Sequence, residues 1–383
     1  MNHLKELKNC GQSIWLDFIE RSLLTSGDLK KLIEEDGVSG MTSNPAIFEK
    51  AITGSNDYDD DLQKLTEDKS LDAKSIYEHL AIKDIQDAAD TLHGVYTVTK
   101  ARDGYVSLEV SPALARDTEK TLEEARRLWK TVNRENLMIK VPGTPEGIPA
   151  VRQLISEGIN INITLLFALS AYEQVVEAYL QGLEERVKRD EDISRMASVA
   201  SFFVSRIDTM IDNELESRIA DFEAAGEIAK ANTARGLRGR IAIANAKLAY
   251  QYYLTVSSGP RWDALKSCGA HTQRLLWAST STKNPNYRDV LYVEELIGYD
   301  TVNTMPPATI DAYRDHGHTR EDAVESDLDG ARIEMEALKT VDISIDNITD
   351  RLLDEALRLF SDPFNKLLAS VEQRRREVRT AEA

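Results

Sequence analysis

Leu137-Met138-Ile139-Lys140-Val141-Pro142-Gly143-Thr144 is a short apolar run closed by a Pro-Gly turn, with a single lysine near its end. A run of this length and content reads as a buried β-strand. An ammonium group is costly to bury there without a partner. Burial lowers a lysine's pKa, and a neutral amine attacks carbonyl carbon, which makes Lys140 a candidate Schiff-base nucleophile. The plain alternatives are a lysine paired with a nearby carboxylate, or one that snorkels out of a strand end.

Working outward from this strand, apolar or β-rich runs recur at residues 13–18, 37–42, 105–110, 137–141, 160–167, 197–204, 274–279 and 301–305. Most intervening segments have helical periodicity. Residues 118–130 place Leu122, Ala125, Leu128 and Trp129 on one face, and residues 28–36 form a short helix ended by Gly37, which suits a left-handed cap. Ser170-Ala171-Tyr172-Glu173 has the spacing of a capping box opening a helix that reaches about Lys188. Strands alternating with helices imply parallel β/α units, and eight of them predict an α/β fold: a single closed (β/α)8 TIM barrel with its active site at the C-terminal strand ends. An open doubly wound sheet is the competitor. It is disfavoured because no Gly-x-Gly-x-x-Gly follows the first strand. Additional helices are expected after strand six, at 207–258, and in a C-terminal helical extension, 319–383, packed on the barrel. The whole chain, 1–383, reads as one domain.

Composition narrows the function. With 47 Lys and Arg against 65 Asp and Glu, the net charge is −18, spread along the chain. Such acidity argues against binding nucleic acid or anionic membranes, so an anionic substrate needs a local cluster of donors. The two cysteines, Cys10 and Cys268, lack metal-site spacing and suggest a reduced, cytoplasmic protein. The N-terminus reads as charged helix rather than a signal peptide, and no apolar run approaches the ~18 residues of a membrane span. His316-Gly317-His318 is the nearest approach to a metal pair, and an exposed turn is the simpler reading. Neither metal nor cofactor is expected.

Functional residues of a barrel should appear at the ends of several strands. Asp17 lies in strand one, a Thr42-Ser43-Asn44-Pro45 turn follows strand two, and Glu109 ends strand three. Lys140 lies in strand four, Asn160, Asn162 and Thr164 alternate in strand five, and Ser201 and Arg206 belong to strand six and its end. Strand seven runs into Ser279-Thr280-Ser281-Thr282-Lys283-Asn284-Pro285. Each has a structural alternative: Asp17 as a helix cap, Glu109 as an ion-pair partner of Lys140, Asn162 and Thr164 bonded to each other, and Arg206 as a helix-start surface residue. Together they supply an amine, two carboxylates to move protons, neutral groups for a polyol and two cations for a phosphate.

These stretches resemble the transaldolase family, in its longer bacterial form. The resemblance rests on Trp15-Leu16-Asp17, Gly40-Met41-Thr42-Ser43-Asn44-Pro45-Ala46-Ile47-Phe48, Val106-Ser107-Leu108-Glu109-Val110, Met138 to Thr144, Asn160 to Phe167, Ser201 to Asp208, Ser281 to Pro285 and Asn303-Thr304-Met305-Pro306-Pro307. Little beyond Thr319 carries it. It implies a pentose-phosphate-pathway transferase that moves a dihydroxyacetone unit from sedoheptulose 7-phosphate or fructose 6-phosphate to glyceraldehyde 3-phosphate or erythrose 4-phosphate. Lys140 would form the Schiff base, Asp17 would exchange the proton of the C4 hydroxyl, and Glu109 with Thr164 would hold a water. Asn44, Asn162 and Ser201 would bind hydroxyls, and Arg206, Ser281 and Lys283 the phosphate. Shorter family members have arginine where Lys283 stands, which implies a looser phosphate geometry here.

Two other readings stay open. One is a fructose-6-phosphate aldolase-type lyase that releases free dihydroxyacetone. The other is a non-catalytic sugar-phosphate-binding barrel, which has no need of Lys140, Asp17 and Glu109 together. Phe167, Phe202 and Phe203 are expected to fill the core or wall the site, with Phe203 a candidate for controlling water near Lys140. Either a monomer or a homodimer fits the sequence.

Overall fold

In the computed structural model, which describes residues 2–381, the apolar runs become β1 (Ser13–Asp17), β2 (Val38–Thr42), β3 (Tyr105–Glu109), β4 (Leu137–Pro142), β5 (Ile161–Leu166), β6 (Ser198–Phe203), β7 (Arg274–Ala278) and β8 (Val302–Met305). Among the described residues these eight strands pair in parallel, each with the next, and β8 pairs with β1 to close the barrel. Every residue of β2 to β8 is buried. That double-sided burial is why the strands read as near-continuous apolar runs. The TIM-barrel expectation is therefore met.

Register fixes which side chains meet inside. Glu109 of β3 pairs with Lys140 of β4, which pairs with Asn162 of β5. In-register neighbours project to the same side of the sheet. At the N-terminal end the barrel is closed by a buried polar plug. Arg274 donates to Ser13 Oγ at 2.8 Å and lies 3.1 Å from Asp103 Oδ1, which also accepts from Trp15 Nε1 at 2.9 Å. Gly40 makes room for the Trp15 ring, since a Cβ there would fall 2.4 Å from it. With that end filled, the C-terminal end is left for chemistry.

The helices follow the expected pattern with two differences. The 118–130 segment becomes Thr118–Val132, capped by Asp117, and Gly37 (φ 77°) ends the 28–36 segment, whose second half winds as a π-helix. The capping box does not form. The helix Leu169–Lys188 has Ala168 as its N-cap, so Ser170 sits two residues too deep to cap it. The 207–258 region holds the later part of Ser205–Ala224, then Ile228–Leu237 and Ile241–Ser257. The β2–β3 connection also carries three helices, Pro45–Gly54, Asp59–Glu67 and Ala73–Val98, which the sequence reading did not single out.

The C-terminal extension ends in the long helix Ile345–Ala381. Its Ile348, Leu352, Ala356, Phe360, Phe364, Leu367 and Val371 are all buried. This is the i, i+3/i+4 stripe of an amphipathic helix lying on a surface. Among the described residues no helix is long and apolar enough to cross a membrane.

Candidate active site

Lys140 is only 5% exposed, although it lies at the mouth of the barrel. Its Nζ donates to the backbone carbonyl of Ser43 at 3.1 Å and lies 3.3 Å from Glu109 Oε2. The expected ion-pair alternative for this lysine is thus present in the geometry, inside the same cluster that the catalytic reading needs. The Phe360 ring lies over Nζ, 5.9 Å from nitrogen to centroid.

Two carboxyl groups face this ammonium. Burial pushes the pKa of Glu109 up, the Lys140 charge opposes the shift, and the charge of Asp17 adds to it. Asp17, at the end of β1, is likewise raised by burial, against the fields of Lys140 and Lys283 and the hydroxyl of Thr42. That hydroxyl lies 2.7 Å from Asp17 Oδ1 and 2.7 Å from Thr304 Oγ1. Asp17 is therefore held by Thr42 of β2, whose hydroxyl also meets Thr304 of β8, and does not act as a helix cap. Two carboxyls whose pKa values are pushed up by burial, beside an amine, are placed to exchange protons with a substrate.

A second set of polar groups crosses the barrel beneath. Asn162 Nδ2 donates to Ser107 Oγ at 2.9 Å, and Ser201 Oγ donates to Asn162 Oδ1 at 2.7 Å. Ser43 Oγ donates to the Ser107 carbonyl at 2.7 Å, tying the β2 turn that holds Lys140 to β3. Thr164 Oγ1 is buried and has no hydrogen-bond partner among the described residues. It precedes Leu165, whose φ of +62° is rare for a leucine, at an irregularity in the β5–β6 register. Thr164 does not bond Asn162, so that structural alternative does not hold. Asn160 belongs elsewhere: it bonds the carbonyls of Glu135 and Leu137 and the Ala197 amide near the opposite end of the barrel.

The remaining expected residues lie to one side. Asn44 caps Pro45–Gly54 through its Oδ1, which accepts from the Ile47 amide at 3.0 Å, directly after the serine that holds Lys140. Arg206 is the second residue of Ser205–Ala224, not part of β6, and its buried Nε has no hydrogen-bond partner among the described residues. Burial lowers its pKa, against the charge of Glu355. Lys283 donates to Ser281 Oγ at 2.7 Å, and burial and then the field of Arg206 lower its pKa, though its surface is open to solvent. Arg206 and Lys283 line one cavity of about 610 Å³ with Arg351, Leu352 and Glu355 of the C-terminal helix. His316, by contrast, bonds Asp289 at 2.8 Å and Asp315 at 3.1 Å on the surface.

Sequence reading missed the Ser43 carbonyl, Ser107, Thr304 and the C-terminal helix residues. Ser107 had a signal, because it lies two residues before Glu109 and so on the same face of β3. The Ser43 carbonyl had none, being a backbone group in a turn.

A closed (β/α)8 barrel with a buried strand-end lysine flanked by two carboxyls defines a class of barrel enzymes built around an amine nucleophile. The chain belongs to the transaldolase/fructose-6-phosphate aldolase family, which matches residues 14–371. It is 50% identical over 376 residues to the transaldolase of Trichodesmium erythraeum (strain IMS101), covering 97% of each chain. It is 50% identical over 375 residues to transaldolase 2 of Nostoc punctiforme, and 45% identical over 370 residues to the transaldolase of Thermobifida fusca, with 97% of each chain covered in both cases. The likeness thus extends well beyond Pro307, where the quoted motifs end, and past Thr319, beyond which little resemblance is expected from the motifs.

Proposed function

We propose that the barrel transfers a dihydroxyacetone unit between sugar phosphates through a Schiff base on Lys140. The observation that carries this is the buried Lys140 ammonium, held by the Ser43 carbonyl and Glu109 at the mouth of the barrel, in a chain half-identical to proteins named transaldolase. Once it has given up a proton, Nζ attacks C2 of a ketose phosphate such as fructose 6-phosphate or sedoheptulose 7-phosphate, and the carbinolamine loses water to give an iminium. Asp17 takes the proton of the C4 hydroxyl, the C3–C4 bond breaks, and its electrons move into the iminium to leave an enamine. The aldose phosphate departs. Glyceraldehyde 3-phosphate or erythrose 4-phosphate then enters, the enamine carbon bonds to its aldehyde carbon, and Asp17 returns the proton. One water adds to C2 of the new iminium, so that Nζ leaves and the product ketose phosphate is freed.

The other residues divide the work by chemistry. Glu109 and the unpartnered Thr164 hydroxyl suit a water that carries protons during carbinolamine formation and loss. Asn162 and Ser201, with the side-chain amide of Asn44, suit the hydroxyls of the three-carbon unit. Arg206 supplies a planar fork to the phosphate and Lys283 a point charge, with Ser281 beside it. The family description also names fructose-6-phosphate aldolase, which releases the three-carbon unit, but the relatives' names favour transfer. We read the chain as a single domain of the cytoplasm, consistent with its free Cys10 and Cys268.

Borohydride reduction in the presence of fructose 6-phosphate, followed by peptide mapping, tests the reading. The expected result is a reduced dihydroxyacetone adduct on Lys140. Folded protein that yields no adduct at neutral pH would reduce Lys140 to an ion-pair residue.

A further inference from the structure

The helix Ile345–Ala381 packs against Pro45–Gly54, Asp59–Glu67 and Ala73–Val98, which follow β2, and against the short turn Pro112–Leu114, which follows β3. It also touches β5 and the helix Ser205–Ala224, which follows β6. All these helices and turns stand at the C-terminal ends of strands, so the helix lies across the mouth of the barrel. Along its buried stripe, Phe360 is the residue set over Lys140 Nζ. Its position is fixed from both sides. One turn on, Phe364 meets Tyr77 edge-on at 5.4 Å, and Tyr77 meets Phe48 edge-on at 5.9 Å. Two turns back, Arg351 pairs with Glu214 and Asp354 with Arg116, each at 2.6 Å.

Nothing in Schiff-base formation, proton exchange or phosphate binding requires a phenyl ring over the nucleophile. An apolar cover does matter at one point, while the enamine waits for its acceptor. Transfer needs the enamine carbon to bond an aldehyde carbon. Release needs a proton on that carbon, then one water added to C2 of the resulting iminium, then expulsion of Nζ. Hydrolysis of the final iminium is common to both routes, so what release needs and transfer does not is the proton on the enamine carbon, for which bulk water is the ready source. The cavity lined by Arg206, Lys283 and Arg351 also borders Leu352 and Glu355 of the same helix. An aromatic group over Lys140 denies the space it fills to bulk water.

We propose that Phe360 is a specificity-determining residue that shields the Lys140 enamine from water and so favours transfer over release. This rests on the Schiff-base reading given above. The same ring faces the positive charge on the nitrogen in the iminium state, a favourable cation–π geometry.

The test uses the full chain with Phe360→Ala and Phe360→Leu. Three quantities are measured: the Lys140 adduct trapped by borohydride, the steady rate of glyceraldehyde 3-phosphate formation from fructose 6-phosphate without acceptor, and the rate of transfer to erythrose 4-phosphate. The adduct should persist in both variants. The transfer-to-release ratio should fall by about tenfold in Phe360→Ala and by about threefold in Phe360→Leu, which keeps most of the apolar bulk. If Phe360→Ala does not fold, the threefold change in Phe360→Leu decides. An unchanged ratio with the Lys140 adduct intact overturns this inference alone, and so does an equal loss of both rates, which marks a packing residue. Failure of the wild-type chain to form the adduct removes the underlying reading and this inference with it.

Discussion

Lys140 and Arg206 meet the cost of burial in opposite ways. Lys140 is enclosed with a carboxylate and a carbonyl in reach, so its charge is balanced before substrate arrives. Arg206 is half-buried with its Nε unpartnered among the described residues, and burial already disfavours its charge. An anion arriving at Arg206 would therefore supply what the fold leaves out. A hydrogen bond to a charged group contributes about 1.5–3 kcal/mol, so Arg206→Ala should raise the KM for fructose 6-phosphate about 10- to 100-fold. Lys283, more open and able to offer only a point charge, should cost about threefold on substitution by alanine. Steady-state kinetics on the two variants measures both. A KM untouched by Arg206→Ala, or a larger effect from Lys283, would remove these residues from the phosphate site as drawn.

At the scale of elements, the placement of Arg206 and Lys283, the cations proposed for the phosphate, depends on how two connections are tied together. The helix Ser205–Ala224 carries Arg206 and, half a turn on, Asp208. Asp208 accepts from the Ala242 amide and from the Tyr292 hydroxyl, each at 2.8 Å, and Asp212 accepts from Tyr287 at 2.6 Å. Both tyrosines follow the loop that holds Ser281 and Lys283, so these contacts lock the two cation-bearing segments to each other. Burial pushes the Asp208 pKa from 3.8 up to about 7. Between those values the folded state keeps a proton that the unfolded chain has released. Folded protein then binds more protons, so this group's contribution to stability is present below about pH 4 and is lost as pH rises through 7. The difference in melting temperature between wild type and Asp208→Asn should shift against the wild type across that window and level off above it. A difference that stays constant from pH 4 to 8 would contradict the assignment. Asp208 was quoted in a motif, but nothing local revealed this role, because its partners lie 34 and 84 positions away. The strands and the residues projecting from them were legible, since a parallel buried strand is apolar except where a polar group serves a purpose. Phe360 was not, since its helical spacing matches that of Leu352 and Phe364, and only tertiary packing sets which one covers the lysine. The failed capping box has the same character: Ser170 has the right spacing, but Ala168 already has the extended conformation of the cap.

At the scale of the whole molecule, the net charge of −18 opposes every sugar phosphate that approaches. The sequence made this conflict visible and called for local cations; Arg206, Lys283 and Arg351 line one cavity together with Glu214 and Glu355. The two fields act over different distances. The repulsion is the sum of carboxylates spread over the surface, so it is long-range and mediated by solvent. The attraction acts at contact, from groups that are partly desolvated. Salt screens the first far more than the second, because the Debye length shrinks from ~30 Å at 0.01 M to ~8 Å at 0.15 M. Raising sodium chloride across that range should therefore increase kcat/KM for fructose 6-phosphate, by about twofold. Sulfate or phosphate as the added anion should reverse the trend by competing at Arg206. A steered site, in which long-range attraction guides the substrate, would behave the other way and lose kcat/KM with sodium chloride. If that decline were observed, the cations at the cavity would have to outweigh the acidic surface at long range, and the local character assigned to the phosphate site would be wrong.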